Sequence, residues 1–220
     1  MARIARIVIP GKAHLVCQGG ERPLFNSTKR RAAFTEILAT CAEIYKVKIL
    51  AYALLSKQAY FVIIPPSAEA LSSFMRVTQT RFARYLHANG FKGEVTPRRF
   101  ASCPLDDATA LEAIKFVETR PVAEGSAKSA TEYAFSSAAA RNGHADKAEG
   151  ADLLTDHPAI TGQVRNWAAF HDTPLDPQRA EWLAMRMRTG KPAGAPAFIK
   201  RIEKKVGMNL SRGRGRPKGS

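Results

Sequence analysis

Few side chains in this sequence have the type and spacing to do chemistry. Cys17, Cys41 and Cys103 form no CxxC pair and lie in apolar segments. Each reads as a buried free thiol rather than a metal ligand or half of a disulfide. His14, His87, His144, His157 and His171 have no metal-ligand spacing and read as strand, loop or surface residues. Glu112 and Glu118 fall on one predicted helix, without a spacing suited to paired acid–base work, and both are expected in solvent. There is no P-loop, no GxGxxG after a strand and no GxSxG elbow. These residues call for no cofactor and no metal.

Positive charge is what the sequence has in quantity. Lys and Arg number 34 against 19 Asp and Glu, for a net charge of +15 and a pI near 10.1. A basic globular chain favours a polyanionic partner, because each cation near a phosphate releases a condensed counterion. Charge alone does not separate DNA from RNA or from an acidic membrane, and a basic protein with no such partner is the bland alternative. The cations collect at Lys29-Arg30-Arg31, at Arg76, Arg81 and Arg84, at Arg98-Arg99, at Lys200, Arg201, Lys204 and Lys205, and in residues 212–218. No apolar run reaches the ~18–20 residues that span a bilayer. Residues 1–10 carry two arginines but no long apolar stretch, so no signal peptide is expected and the cytoplasm is the expected location.

The elements that must position these residues follow from periodicity. Residues 4–9 and 13–17 read as short strands around Pro10-Gly11. Apolar residues at Phe34, Ile37, Leu38, Cys41, Ile44 and Tyr45 predict a helix over 29–45. Residues 47–55 and 59–64 are rich in β-branched and aromatic side chains and read as a hairpin. Ser67 is placed to cap a second helix with the stripe Leu71, Phe74, Met75, Thr78, Phe82, Tyr85 and Leu86, ending at Asn89-Gly90. Asp106 or Asp107 caps a third helix that Pro121 should stop. Weaker helices are expected over 130–140, 162–170, 177–188 and 196–206. The β-α-β-β-α-β-α order predicts an α+β domain of ferredoxin-like type, an antiparallel sheet with helices packed on it. The chain divides into this domain (1–145), a helical extension (146–210) and a basic tail expected to be disordered (211–220).

An ordered set of short segments resembles the single-tyrosine HUH transposases, in particular the REP-associated tyrosine transposase branch. Pro10-Gly11 with His14-Leu15-Val16 resembles that family's opening strand. Gln18-Gly19-Gly20-Glu21-Arg22 stands where the family has an Arg-Gly-Asn turn. Ala51 to Leu55 resembles the strand that runs into its HUH motif. Leu71 to Arg76 and Arg81 to Tyr85 resemble the next helix, and residues 93–102 its "G…RF.S" segment. Arg120-Pro121-Val122 with Gly125 resembles "NPV..G", and Tyr133 to Ala138 "Y.WSSA". Gly190-Lys191-Pro192, Gly194, Phe198, Gly207 and Gly215-Arg216-Pro217-Lys218 resemble its C-terminal end. The resemblance implies strand cleavage in which a tyrosine hydroxyl attacks a phosphodiester beside a divalent metal held by two histidines.

The same resemblance places four departures at the implied active site. The two histidine positions fall on Gln58 and Tyr60. A glutamine carbonyl is a weak ligand and a neutral phenol a poor one. The nucleophile position falls on Phe116, which has no oxygen, and the potential third ligand on Arg120, whose charge opposes a metal. Together they imply lost chemistry. Of the remaining hydroxyls, Tyr85 is expected in the core, and Tyr60 is the one that could replace the nucleophile; the alternative is that it packs against or bonds to Gln58 and Arg120.

What remains is binding. Family likeness places Arg98 and Arg99 near the DNA-facing side of the sheet. Lys200 and Arg201 extend a positive strip toward the tail, whose Arg212, Arg214, Arg216 and Lys218 enclose Arg-Gly-Arg-Pro, the core of an AT-hook. Such a segment lies along the narrow minor groove of A·T-rich DNA; a basic tail making only phosphate contacts is the equal alternative. The expectation is a transposase relative that binds single-stranded hairpin or A·T-rich duplex DNA without cutting it. The alternatives are an active single-strand transposase using Tyr60, and an RNA-binding regulatory module.

Overall fold

The structure, a computed structural model, describes residues 6–95, 99–142, 150–173, 175–208 and 210. In chain order the elements are β1 (His14–Gly19), α1 (Thr28–Tyr45), β2 (Lys48–Leu54), β3 (Gln58–Ile64), α2 (Ala68–Ala88), β4 (Ala101–Pro104), α3 (Asp107–Glu118), α4 (Arg120–Ala123), α5 (Ser137–Arg141), α6 (Trp167–Asp172), α7 (Pro177–Thr189) and α8 (Pro196–Val206). The sheet order is β2-β3-β1-β4, with every neighbouring pair antiparallel. Two β-α-β units thus interleave, as the ferredoxin-like reading requires.

Helices cover both faces of the sheet. Val16, Tyr52, Phe61 and Ile63 pack against Phe34, Leu38, Phe74 and Phe82 of α1 and α2. Leu15, Val62, Cys103 and Leu105 pack against Ile114, Val117, Leu183 and Met187 of α3 and α7. Burial on both sides explains why β2 and β3 read as continuous apolar runs rather than as alternating ones. The open edges are covered by irregular chain and by the start of α5, which blocks pairing with other strands. Beside β2, Leu54 N–H donates to Phe135 O at 2.9 Å, Tyr52 N–H to Ser137 Oγ at 3.0 Å and Thr155 N–H to Ile49 O at 2.8 Å. Beside β4, Ala193 N–H donates to Pro104 O at 2.9 Å.

Side-chain caps set the helix starts. Ser27, Ser67 and Asp106 accept from the backbone N–H of Arg30, Ala70 and Thr109. Other expectations are corrected. Residues 6–9 of the expected first strand join no sheet; Ile7 and Ile9 instead pack on Phe198 and Ile202 of α8. Pro121 does not stop α3, which ends at Glu118; it lies in the first turn of α4, where its missing N–H is harmless. The helix expected over 130–140 is broken into a 3₁₀ turn (Ala130–Glu132) and α5, because Ser129 and Ser136 each cap a new turn. The helix expected over 162–170 starts later, at Trp167, where Asn166 supplies the cap.

Candidate functional site

Gln58 and Tyr60 lie two residues apart on β3 and therefore on one face of the sheet, the face under α3. Phe116 faces them from α3, and Arg120 follows one helical turn later at the start of α4. The Tyr60 and Phe116 ring centroids are 6.1 Å apart in an edge-to-face arrangement at 81°. The Arg120 guanidinium carbon stands 5.2 Å from the Tyr60 ring centre and 5.4 Å from that of Phe116. Tyr60 O–H donates to Gln58 Oε1, and Arg120 Nη2 bonds to Glu124 Oε1 at 2.5 Å. Cys17 of β1 pairs in register with Tyr60. Gly19 pairs in register with Gln58, and a Cβ on Gly19 would come within 2.7 Å of Gln58 Cγ. The four positions thus meet in one place, which is filled: Tyr60 is 5% exposed and Phe116 3%.

The electrostatics do not favour a nucleophile here. Burial pushes the Tyr60 phenol above its ordinary range, and the neighbouring Cys17 adds to the shift against the opposing pull of Arg120. Burial likewise raises the Cys17 thiol to about 12. Both groups stay protonated at neutral pH. The residues do not fit a divalent cation either. The Gln58 carbonyl is taken by the Tyr60 hydroxyl, and a guanidinium stands over both rings. Among the described residues no group of three His, Cys, Asp or Glu is placed to hold a metal ion. Arg120 Nε is buried without a hydrogen-bond partner among the described residues.

The cations divide into those built into the fold and those facing solvent. Arg22 stacks on Phe91 at 4.3 Å and donates to Lys92 O and Glu94 O, fixing the chain after α2. Arg30 bonds to Asn26 Oδ1 at 2.8 Å, and Arg31 lies 5.1 Å from the Phe135 ring centre. Arg6 lies 3.4 Å over the Phe100 ring and donates to Phe100 O; burial and then the nearby Arg99 push it down to about 10. Arg76, Arg81, Arg84 and Arg99 are exposed. Lys200, Arg201, Lys204 and Lys205 are also exposed and form the polar face of α8, whose Phe198 and Ile202 are buried. Arg98, Arg212, Arg214, Arg216 and Lys218 lie outside the described residues. No described helix is long and apolar enough to cross a membrane.

The sequence reading misplaced Glu118. It is fully buried rather than solvated, while Glu112 is half-exposed and pairs with Arg179 at 2.5 Å. Glu118 Oε1 accepts from Ser137 Oγ at 2.6 Å and Arg141 Nε at 2.9 Å. Its Oε2 is 2.7 Å from His171 Nε2, and His171 Nδ1 is 3.0 Å from the Asn142 amide. These partners come from α5, α6 and the turn after α5, so nothing local to Glu118 announced them. His14 is also buried: its ring bonds Lys12 O through Nδ1 at 2.8 Å and accepts from Ile9 N–H at 3.2 Å. Burial pushes it down to about 4, with the Lys12 carbonyl pulling the other way.

No family model and no curated protein sequence matches this chain. Solved structures do. A REP-associated tyrosine transposase bound to a REP hairpin has a TM-score of 0.53 at 18% identity, over 62% of this chain and 82% of that one. A transposase candidate from Deinococcus radiodurans R1 gives 0.38 at 12% identity, over 55% of this chain and 98% of that one, too distant to carry weight. The first likeness establishes a shared α+β fold.

Proposed function

We propose that this chain is a DNA-binding protein of the transposase family that holds hairpin or repeat DNA without cutting it. One observation carries the reading. The place where the family resemblance puts two imidazoles and a reactive phenol holds Gln58, Tyr60, Phe116 and Arg120, packed ring against ring beneath a guanidinium. The net charge of +15 and the exposed cations on α2 and α8 supply the attraction for a phosphate backbone. The solved relative of the same fold is bound to a REP hairpin, which supports a hairpin as the first ligand to try. Tyr60 does not favour cleavage: its hydroxyl is buried, donates to Gln58 and resists ionisation. The basic tail at 211–220 adds affinity, through an A·T-rich minor groove or through phosphates alone.

The test is binding of a fluorescent DNA hairpin as salt rises. Four or more phosphate contacts predict a loss of at least about a hundredfold in affinity between 50 and 200 mM salt. Binding indifferent to salt, or no binding at the lower salt, contradicts the proposal.

A further inference from the structure

At the end of the sheet away from Gln58 there is a cavity of about 210 Å³, where Lys46, Lys48 and His157 stand beside Ile64, Pro65 and Pro66. The β1–β3 pairing runs from Gly19 opposite Gln58 to His14 opposite Ile63, and Ile64 pairs with Lys48. About 20 Å of strand therefore separates the cavity from the candidate site.

The charge of the walls and the placing of Lys46 point to an anion. The walls carry two ammonium side chains and no carboxylate. The acids adjacent in sequence, Glu43 and Asp156, are exposed and line no part of the cavity. His157 Nδ1 is buried and has no hydrogen-bond partner among the described residues. Its backbone is fixed, with the N–H bonded to Thr161 Oγ1 at 2.8 Å and the carbonyl accepting from Ile160 and Gly162. That nitrogen is shut off from solvent, so it is the rest of the ring that lines the cavity. Lys46 is held at φ 52°, ψ 37°, the one non-glycine residue with positive φ among those described. Glycine is the usual residue at that position of a helix end, so a lysine there carries backbone strain. The carbonyl end of α1 opposes an anion here, and the two ammonium groups must outweigh it.

We infer that this cavity binds a phosphate group. Lys46 and Lys48 neutralise it, beside the part of the His157 ring that lines the cavity. The room is smaller than the ~300 Å³ of sites for drug-sized ligands and suits a small anion. The phosphate comes from a nucleic-acid backbone or from a free phosphate or phosphomonoester. The chemistry is common to these sources, and the inference stands whether or not the chain binds DNA.

The test is a titration of the isotope-labelled full chain with inorganic phosphate, followed by NMR. Saturable shifts are expected at Gly11, Lys46, Lys48 and the His157 ring. The Lys46→Gly variant should melt a few degrees higher, because the left-handed position is relieved. Its phosphate affinity should nevertheless fall at least about fivefold, and a Lys46→Gly, Lys48→Gln double variant should lose tenfold or more. A purely structural role for Lys46 predicts the rise in melting temperature without the loss of binding. Absence of saturable shifts at these residues, or equal affinity in the double variant, overturns the inference. A second titration with hairpin DNA separates the sources. If the same resonances move and the double variant weakens hairpin binding at least threefold, the site takes a phosphodiester. If phosphate binding is lost in the double variant while hairpin affinity is unchanged, it takes a free phosphate or monoester.

Discussion

Two buried clusters grow from the same short stretch of chain and end differently. Phe116 and Arg120 look toward Tyr60 and Gln58; Glu118, between them, looks the other way toward Arg141, His171 and Ser137. The Glu118 cluster is closed. Its carboxylate meets three donors, and Arg141 Nη2 also bonds to Leu50 O. It ties α3, α5 and α6 to the edge of the sheet. The Tyr60 cluster is packed through rings and leaves the Arg120 Nε without a hydrogen-bond partner among the described residues. A buried charge that is fully paired holds structure together and is dangerous to disturb. A cluster held mainly by ring packing loses less when one of its polar atoms is removed. Helix α3 thus carries a structural anchor on one side and what we read as a retired reaction centre on the other.

The largest effect should come from breaking the anchor. Glu118→Ala leaves Arg141 and His171 buried beside an empty space and should destabilise the fold by about 3–5 kcal/mol in urea unfolding. A loss below about 1 kcal/mol would show that the two clusters do not differ as described.

Next is a buried polar group with no charged partner among the described residues. His14 titrates near 4 when folded and near its ordinary 6.5 when unfolded. The unfolded chain therefore binds the extra proton, and stability present above pH 6.5 is lost as pH falls toward 4. That amounts to about 3 kcal/mol over the window. Stability measured against pH should show this slope, and His14→Gln should flatten it.

Gly19→Ala tests the fit at the candidate site. Its new methyl meets Gln58 Cγ and the Lys57 carbonyl, at 2.7 and 2.9 Å. The cost should be about 1–3 kcal/mol by thermal unfolding, since the backbone oxygen cannot give way as the side chain can. The smallest effect belongs to Tyr60→Phe. It removes the hydrogen bond to the partly exposed Gln58 and the hydroxyl's contacts with Cys17 and Arg120, so stability should fall by about 1 kcal/mol and hairpin affinity should not change.

The contrast also explains what could be read from the sequence. The Tyr60 side was legible because its spacings are local. Residues 58 and 60 share a strand face, residues 116 and 120 a helix face, and family likeness paired the two. The ferredoxin-like order was legible for the same reason, since apolar runs and caps such as Ser67 and Asp106 mark their own elements. The Glu118 side was not, because Arg141 and His171 stand 23 and 53 residues away. Residues 6–9 misled because a β-branched run only records burial. Here the burial is supplied by α8 rather than by a neighbouring strand.

The account is tested most directly by incubating the chain with a labelled single-stranded hairpin and manganese or magnesium, then separating the products under denaturing conditions. It predicts intact DNA and no protein–DNA adduct, under conditions where the hairpin is bound. A covalent adduct that survives denaturant, and disappears in Tyr60→Phe, would contradict it.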